Sequence, residues 1–312
     1  MSGGCFLGID TSNYTTSAGV YDGARALENR KLPLPVAPGA RGLRQSDAVF
    51  HHTRQLPELL VPLGELYRFS AIGVSATPRA AEGSYMPCFL VGRGYGEVLG
   101  AALGVPVYRF SHQQGHIAAA LYSAGRLDLL ERPFLAFHVS GGTTEALMVT
   151  PGGGAGPAAE LAAQSLDLKA GQAVDRVGVA LGLSFPCGPE LEQLALAWPE
   201  PVRVRPAMKG ADCSLSGVEN QCMDMIRRGC PPELVARHCM EAVAAALEAM
   251  CARLLDELGP LPVVFSGGVA GNSILRERLE ARFGACFAEP AFSADNGVGA
   301  AVLAWGSFAA RS

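Results

Sequence analysis

Two short hairpins of similar sequence, one in each half of the chain, limit the folds that this protein can adopt. In each, an apolar strand ends in a turn of small or hydroxyl-bearing residues and a second strand follows, at residues 8–12 and again at 138–142. A hairpin repeated once per half predicts a duplicated lobe of sheet and helices, with a cleft between the two copies. The similarity is short, so two unrelated hairpins remain the alternative.

Length and composition favour the same organisation. Chains of more than about 250–300 residues usually divide into lobes or domains, and this chain has 312 residues. Apolar residues make up 49% of it and charged residues 17%. Intrinsic disorder is therefore excluded as its main state, and a sizeable core is available.

The sequence favours a cytoplasmic protein without a membrane partner. Apolar runs such as residues 242–247 are too short to cross a bilayer, and the first residues lack the pattern of a secretory signal. The 25 basic residues are outnumbered by 29 acidic ones, for a net charge of −4. Because binding nucleic acid needs a surplus of Lys and Arg on one face, we do not expect the chain to hold nucleic acid by itself. Composition leaves a local basic patch open.

Hydrophobic periodicity predicts alternating strands and helices, which places the chain in the α/β class. The predicted strands cover residues 5–10, 15–21, 71–75, 105–110, 134–139, 145–150 and 263–265. The predicted helices cover residues 47–66, 91–103, 112–124, 169–182, 189–197, 215–228 and 233–258, and a last helix starts at about Asp295. We expect Pro57 and Pro62 to interrupt the first helix, because proline lacks the N–H that a helix interior needs.

Two glycine turns are candidates for binding phosphate. Residues 140–144 place two glycines and three hydroxyls at the end of a strand, and residues 266–268 end another strand ahead of a helix. Glycine lets a backbone approach a phosphate closely, and a helix N-terminus favours an anion. Either turn alone is more often structural, but two of them make a nucleotide cleft a reasonable expectation.

His112 and His116 are candidates for binding a metal. Four residues apart on a helix, they share one face, as two imidazole ligands of one ion must. A hydrogen-bonded, partly buried pair is the alternative. The zinc-protease pattern HExxH has a Glu after the first His, and Gln113 occupies that position here, which disfavours proteolysis. Asp295 is one candidate for a third ligand.

Two isolated acids complete the set of candidates. Asp10 ends the first strand, where a carboxylate could hold Mg²⁺ or a metal-bound water beside phosphates. Asp175 lies on a predicted helix, where it could bind a ribose hydroxyl. A solvated charge is the alternative for each, as it is for Glu190 and Asp212.

Taken together, these residues resemble one family, the TsaD (Gcp, YgjD) proteins, which are ATP-dependent tRNA threonylcarbamoyl transferases. The matching motifs follow one another from Gly8 to the last helix and cover nearly the whole chain. They are Gly8-Ile9-Asp10-Thr11-Ser12, His112-x-x-Gly115-His116, Val139-Ser140-Gly141-Gly142, Ala170-Gly171-x-Ala173-x-Asp175, Pro186-x-Gly188-Pro189, Ser214-x-Ser216-Gly217, Gly267-Gly268-Val269-x-x-Asn272 and Asp295-Asn296-Gly297.

The resemblance implies a fold and a division into domains. The fold is α/β and two-lobed, of the actin/hexokinase/Hsp70 (ASKHA) kind, with duplicated sheet-and-helix lobes. The expected domains are residues 1–128 and 129–312, and the last helix, from about residue 295, is expected to pack back toward the N-terminal lobe.

The resemblance also implies ligands and their residues. One divalent metal, iron or zinc, would be held by His112, His116 and Asp295, and Asp10 and Ser12 are expected to be catalytic. ATP, ADP or threonylcarbamoyl-AMP, with or without Mg²⁺, would occupy the cleft. The expected nucleotide-binding residues are Val139, Ser140, Gly141 and Gly142 for the phosphates, Asp175 and Gly188 for the ribose, and Gly267, Gly268 and Asn272 for the adenine end.

In the family, the threonylcarbamoyl group passes to the N6 amine of adenosine 37 in certain tRNAs. The resemblance therefore implies tRNA as a partner, together with TsaB-like and TsaE-like proteins. The metal would polarise the carbonyl as a Lewis acid, and the protein would position the weakly nucleophilic amine.

The sequence departs from the family pattern on the acceptor side. Asp10 stands where the family has Glu, and residues 13–16 replace its Cys-Asp-Glu-Thr. Gln114 replaces a Glu and Thr143 replaces a His, while residues 76–79 replace a Gly-Pro-Gly-Leu turn and Lys169 a small or acidic residue. We interpret the chain as a divergent paralogue that keeps the metal and an adenylate-type ligand. A non-catalytic, nucleotide-binding partner subunit of the TsaB type is the alternative, disfavoured because such subunits lack the paired histidines. A metalloprotease is the remaining one.

Overall fold

A computed structural model describes residues 4–12, 14–36 and 43–311, which form two compact units. Unit 1 comprises Met1–Arg132, Thr150–Ala159 and Ala291–Ser312, and unit 2 comprises Pro133–Val149 and Glu160–Pro290. The chain therefore leaves unit 1 twice, returning to it for Thr150–Ala159 and again at Ala291. The predicted domains, 1–128 and 129–312, remain a prediction.

Unit 1 is a five-stranded mixed sheet with helices on both faces. Its strands are β1 (Cys5–Ser12), β2 (Thr15–Tyr21), β3 (Ala26–Pro33), β4 (Phe69–Thr77) and β5 (Val107–Ser111), in the order β3-β2-β1-β4-β5. β1, β2 and β3 are antiparallel neighbours, and β4 and β5 run parallel to β1. Helices α1 (Gln45–Leu66) and α2 (Phe89–Leu103) share one apolar core with the sheet. Helix α3 (His112–Ser123) and the last helix, Val298–Ala309, share another.

Unit 2 repeats this arrangement around a second sheet. Its strands are β6 (Phe134–Val139), β7 (Thr144–Thr150), β8 (Ala158–Gln164), β11 (Val263–Ser266) and β12 (Cys286–Phe287), in the order β12-β11-β6-β7-β8. Strands β9 (Ala207–Lys209) and β10 (Asp212–Ser214) form a separate hairpin. The helices are α4 (Ala170–Ala180), α5 (Gly188–Ala197), α6 (Ser216–Arg227), α7 (Pro232–Leu258) and α8 (Ser273–Phe283), and α9 (Pro290–Ser293) leads back to unit 1. The core joins the sheet to the apolar face of α7.

The two sheets share one connectivity. In each, the first strand forms an antiparallel hairpin with the second, and the fourth strand pairs in parallel on the first strand's other side. The prediction of an α/β protein with duplicated sheet-and-helix lobes is therefore confirmed.

Helix α1 runs unbroken through Pro57 and Pro62, so the predicted interruptions are wrong. A proline at position 57 removes the N–H that would bond to the Thr53 carbonyl. The Tyr95 hydroxyl of α2 lies 3.5 Å from that carbonyl and points a donor at it. Burial of Leu56, Leu59, Leu60 and Leu63 against unit 1 then holds the helix together across the prolines.

The last helix, α10 (Val298–Ala309), begins three residues later than predicted, because Asn296 ends the preceding segment. Its side-chain amide donates to the carbonyls of Phe292 and Ala294, and its oxygen accepts from the Gly299 N–H at 3.4 Å. Asp295 consequently lies in the turn before the helix rather than at its head. A Cβ on Gly299 would stand 1.9 Å from the Gly115 carbonyl of α3, so only glycine permits this approach of α10 to α3.

Across the described ranges, none of the helices combines the length and the apolar character needed to cross a membrane.

Candidate functional site

Unit 1 brings His112, His116 and Asp295 together. Helix α3 starts at His112, after a capping box in which the Ser111 hydroxyl accepts from the Gln114 N–H and the Gln114 side chain accepts from the Ser111 N–H. One turn later His116 points to the same side, with its Nε2 2.9 Å from His112 Nε2. Asp295 Oδ1 lies 3.2 Å from His116 Nε2 and 3.5 Å from His112 Nε2.

These separations fit a single metal ion. Two ligands bound at about 2.0–2.1 Å to one tetrahedral ion stand about 3.3 Å apart, and the three separations lie on either side of that value. All three ligand atoms lie within 4.8 Å of one another, and the side chains are partly exposed. The residues present therefore fit a divalent ion with two imidazole ligands and one carboxylate ligand, with room for a further ligand.

Two carboxylates and two imidazoles interact electrostatically in this cluster, and these interactions shift the pKa values of Asp10, His112 and Asp295. Burial would lower the pKa of His112, but Asp10 and Asp295 outweigh it and raise that pKa to about 9. Burial would raise the pKa of Asp295, but His116 and His112 hold it well below its usual range. Burial would likewise raise the pKa of Asp10, and His112 lowers it instead.

Ser12 and His52 lie beside this cluster. Ser12 ends β1, and its buried hydroxyl helps to hold the pKa of Asp295 below its usual range. His52, on α1, is fully buried.

A chain of hydrogen bonds determines which nitrogen of His52 carries the proton. The Gln55 amide N–H donates to the Pro33 carbonyl at 3.0 Å, so its oxygen faces Thr16 and accepts the Thr16 hydroxyl at 2.6 Å. Having used its one hydrogen, that hydroxyl must accept from His52 Nδ1 at 2.8 Å. Nδ1 therefore carries the proton of the neutral ring.

We expect the native protein to lose stability between pH 6.5 and pH 4 because of His52. Burial lowers the pKa of this imidazole from 6.5 to about 4, although the Ser12 backbone and Asp10 oppose the shift. Between pH 6.5 and pH 4, His52 therefore binds a proton in the unfolded chain but stays neutral in the folded chain. The stabilisation is complete above pH 6.5 and falls by at most about 3 kcal/mol as the pH drops to 4.

Urea unfolding of the native protein and of His52→Asn across this pH range measures the effect. The Asn amide replaces the Nδ1–H donor but does not titrate, so the variant should lose less stability over the same interval. Equal pH slopes for the two proteins would contradict the assignment.

Gln114, which replaces a Glu of the family pattern, points away from the metal ligands. Both N–H groups of its amide are used, one toward the Ala155 carbonyl and one toward the Pro157 carbonyl, each at 3.0 Å. Its oxygen accepts from the Ser111 N–H at 2.7 Å. The side chain thus ties the 152–157 loop to the start of α3, and a carboxylate could not make these two donations.

Unit 2 groups the predicted phosphate-binding turn with the start of α4. The turn after β6 is closed by the Ser140 N–H, which donates to the Thr143 carbonyl at 2.8 Å. The Gly171 N–H donates to the Ser140 carbonyl, and a Cβ on Gly171 would meet Gly141 at 2.6 Å. Gly141 and Gly142 themselves have open space where a Cβ would stand and no positive φ. Neither packing nor backbone conformation explains these two glycines, whereas access of a ligand to the backbone would.

The second glycine turn lies beside the first. Since β6 and β11 are parallel neighbours, their carboxyl ends share one edge of the sheet, and Gly267 adopts φ +97° with its Cα facing the Val139 carbonyl. Gly268 follows with open space around it. Asn272 caps α8 by accepting from the Leu275 N–H, and its buried amide nitrogen has no partner in the part of unit 2 that the structure describes.

Asp175 and Gly188 also lie near each other in unit 2. One oxygen of Asp175, on α4, accepts from the Cys187 N–H at 2.8 Å, immediately before Gly188 begins α5. The contact positions the N-terminus of α5. Among the described contacts, the other carboxylate oxygen of Asp175 makes no hydrogen bond, so it is available to a ligand.

The structure therefore forms two groups from the predicted site residues. Asp10, Ser12, His112, His116 and Asp295 lie together in unit 1, and the nine predicted nucleotide-binding residues lie in unit 2. Asn13, one of the departures from the family pattern, lies outside the described residues. Sequence reasoning missed Ser75 and His52, because no local motif marks a serine in β4 or a histidine in α1.

Comparison with known proteins identifies the family of the chain. The family model described as TsaD, tRNA N6-adenosine threonylcarbamoyltransferase, matches residues 65–302. A protein of Aromatoleum aromaticum (strain DSM 19018 / LMG 30748 / EbN1) named tRNA N6-adenosine threonylcarbamoyltransferase is 35% identical over 311 residues, covering 93% of this chain and 87% of that protein.

Solved structures show the same fold at low sequence identity. The Acidaminococcus fermentans (R)-2-hydroxyglutaryl-CoA dehydratase component A superposes with a TM-score of 0.55 at 16% identity, over 99% of this chain and 100% of that one. A ROK family glucokinase from Streptomyces griseus gives 0.53 at 16% identity, over 96% and 99% of the two chains. These likenesses confirm the predicted actin/hexokinase-like fold. The family match and the curated relative together show that the chain is a transferase that belongs to the TsaD family of tRNA N6-adenosine threonylcarbamoyltransferases.

Proposed function

We propose that this protein transfers a threonylcarbamoyl group, or a related carbamoyl group, from threonylcarbamoyl-AMP to an amine, and that the reaction depends on one divalent metal. The observation that carries the proposal is the convergence of His112, His116 and Asp295 in unit 1, at separations that suit one ion. Iron and zinc both accept this set of ligands. When bound, such an ion supplies Lewis acidity toward the carbamoyl oxygen or the phosphates.

The transfer itself is an acyl substitution. The amine nitrogen bonds to the carbamoyl carbon, the bond from that carbon to the phosphate oxygen breaks, AMP leaves, and the nitrogen gives up a proton. The residues of unit 1 hold the ligand cluster in place, and the Ser12 hydroxyl beside Asp295 is placed to orient the donor. Positioning of this kind reduces the entropic cost of bringing a weak nucleophile to its target.

We assign the binding of an adenine nucleotide to unit 2. Support comes from Gly141, Gly142, Gly188 and Gly268, which leave space beside exposed backbone. It comes also from Asn272, which is 5% exposed and whose buried amide nitrogen lacks an acceptor among the described residues. An adenine nucleotide, with or without Mg²⁺, would fill that space and satisfy that donor.

The acceptor proposed first is adenosine 37 of tRNA, reached with TsaB-like and TsaE-like partners in the cytoplasm. The chain's net charge of −4 supports a need for partners to hold the polyanion. The departures at Tyr14, Thr15, Thr16 and Thr143 support the proposal that a divergent paralogue modifies a different amine.

Two other functions are weaker. A non-catalytic partner subunit would have no need for three converging ligand side chains. A metalloprotease would need a general base beside the metal, and Gln113, in the position of the glutamate in HExxH, cannot take a proton.

Complementation of a bacterial strain depleted of its own TsaD tests the proposal. We expect the native gene to restore threonylcarbamoyladenosine in tRNA, measured by mass spectrometry of digested nucleosides, and His112→Ala to fail. If the native gene fails, the purified protein supplied with threonylcarbamoyl-AMP and small amines should still release AMP, which indicates an altered acceptor. Failure of both assays would contradict the enzyme and favour the partner-subunit alternative.

A further inference from the structure

Asp10 contributes no atom to the proposed metal site and yet is its most tightly bonded neighbour. The side chain is 2% exposed, between the strands β2 and β4 that flank β1. Three donors converge on its carboxylate: the Ser12 N–H on Oδ1 at 2.8 Å, the Ser75 hydroxyl on Oδ2 at 2.9 Å, and His112 Nδ1 on Oδ2 at 2.6 Å.

The chemistry of these partners fixes the position of one proton. A carboxylate that receives an N–H and an O–H has only acceptor sites to offer a third neighbour. His112 Nδ1 must therefore be the donor in the shortest of the three contacts. An imidazole that binds a metal is neutral and carries one N–H, so a proton fixed on Nδ1 leaves Nε2 as the nitrogen that can bind the ion.

Nε2 is the nitrogen that the metal site needs. It faces His116 Nε2 at 2.9 Å and Asp295 Oδ1 at 3.5 Å, whereas Nδ1 faces the interior of unit 1. If the proton moved to Nε2, His112 would offer the metal an N–H in place of a lone pair.

We propose that Asp10 is the positioning residue of the metal site, which fixes His112 in the Nδ1–H tautomer and holds its ring so that Nε2 can bind the ion. The inference rests on the proposed metal function and assigns Asp10 a role through His112 rather than on the substrate. Carboxylates that accept from the second nitrogen of a metal-binding histidine commonly act in this way. Ser75 and the Ser12 N–H in turn fix the rotamer of Asp10.

Asp10→Asn is the informative variant because the side chain keeps its shape, while one hydrogen-bond acceptor, a carboxylate oxygen, becomes a donor, the amide NH₂ group. An amide N–H placed at Oδ2 would face the Nδ1–H of His112 and force the proton to Nε2. Placed at Oδ1, it would face the Ser12 N–H, and the carboxylate charge would be lost in either case. Ser75→Ala is the matched control, since it removes another donor to the same oxygen but leaves the bond to His112.

Zinc titration of the purified full-length chain, with a competing chelator, measures the effect without any turnover. We expect Asp10→Asn to weaken zinc binding by about 10- to 100-fold, and Ser75→Ala to weaken it less. Circular dichroism in the near ultraviolet confirms that both variants are folded. Equal zinc affinity for the native protein and Asp10→Asn would overturn the inference and leave the proposed metal site intact.

A second measurement needs no variant. Long-range ¹H–¹⁵N correlation spectra of the zinc-loaded native protein show which nitrogen of His112 bears the proton. A proton on Nδ1 and zinc on Nε2 is the expected result, and the reverse arrangement overturns the inference even if Asp10→Asn does not fold. Failure of the native protein to bind either zinc or ferrous iron would overturn both the metal function and this inference.

Discussion

Replacing His112 and His116 together with alanine is expected to abolish binding of iron or zinc by the purified protein. The double variant removes both imidazole ligands and leaves Asp295 alone, and one carboxylate cannot hold a transition metal against solvent. The native chain should contain about one ion, and the variant should contain none after dialysis. Elemental analysis by plasma mass spectrometry provides the measurement.

His51→Ala combined with His238→Ala is the matched control. It removes the same number of imidazoles, from α1 and α7, at positions that contribute no atom to the cluster. The control should keep its metal. Metal retained by the His112/His116 variant would place the ion elsewhere, and a native protein without metal after supplementation would exclude a metal-dependent transfer.

The ligands of this cluster could be predicted from the sequence because local chemistry identifies them. Two histidines four residues apart share a helix face in any protein, and the glycine turns mark the ends of strands. Asp295 is different. It lies 179 positions from His116 and joins it only because α10 passes close to α3 at Gly299 and Gly115. Its position ahead of the last helix made it only one candidate, and the family resemblance assigned it the role of third ligand.

The partners behind the ligands could not be predicted, because tertiary pairing decides them. Asp10 meets Ser75 because β1 and β4 are parallel neighbours with Ile9 opposite Val74. No motif in the sequence links two residues 65 positions apart. The same holds for the Thr16, Gln55 and His52 chain, which joins β2 to α1. The prolines of α1 show the converse case. Proline normally interrupts a helix interior, but burial of the leucines of α1 outweighs that local preference here.

Gln114 shows why a departure from a family pattern has to be interpreted in the structure. By sequence alone, the change from Glu to Gln between the two histidines is one of the departures on the acceptor side. In the structure the amide instead bridges to the Ala155 and Pro157 carbonyls, and it is 6% exposed. The glutamine therefore serves to hold the 152–157 loop against α3.

Restoring the family residue with Gln114→Glu should consequently destabilise the protein rather than improve it. The carboxylate would lose two donated hydrogen bonds and face two carbonyl oxygens without a compensating cation. A buried, uncompensated charge of this kind costs on the order of 3 kcal/mol. The helix dipole at this early position of α3 stabilises the carboxylate by at most about 1 kcal/mol. The variant is therefore expected to be less stable than the native protein. Urea unfolding at neutral pH measures the loss.

The pH dependence of the variant's stability distinguishes the cost of a buried charge from that of a steric misfit at position 114. Burial against carbonyls raises the pKa of a glutamate above its unfolded value, so the variant should recover stability relative to the native protein as the pH falls and the carboxyl becomes neutral. A protonated carboxyl can also donate to one of the two carbonyls. Gln113→Glu makes the same chemical change one residue earlier, on a partly exposed side chain, and should alter stability by no more than about 0.5 kcal/mol. A Gln114→Glu protein as stable as Gln113→Glu at neutral pH would show that the amide does not hold the loop. The departure would then have to be explained by the acceptor after all.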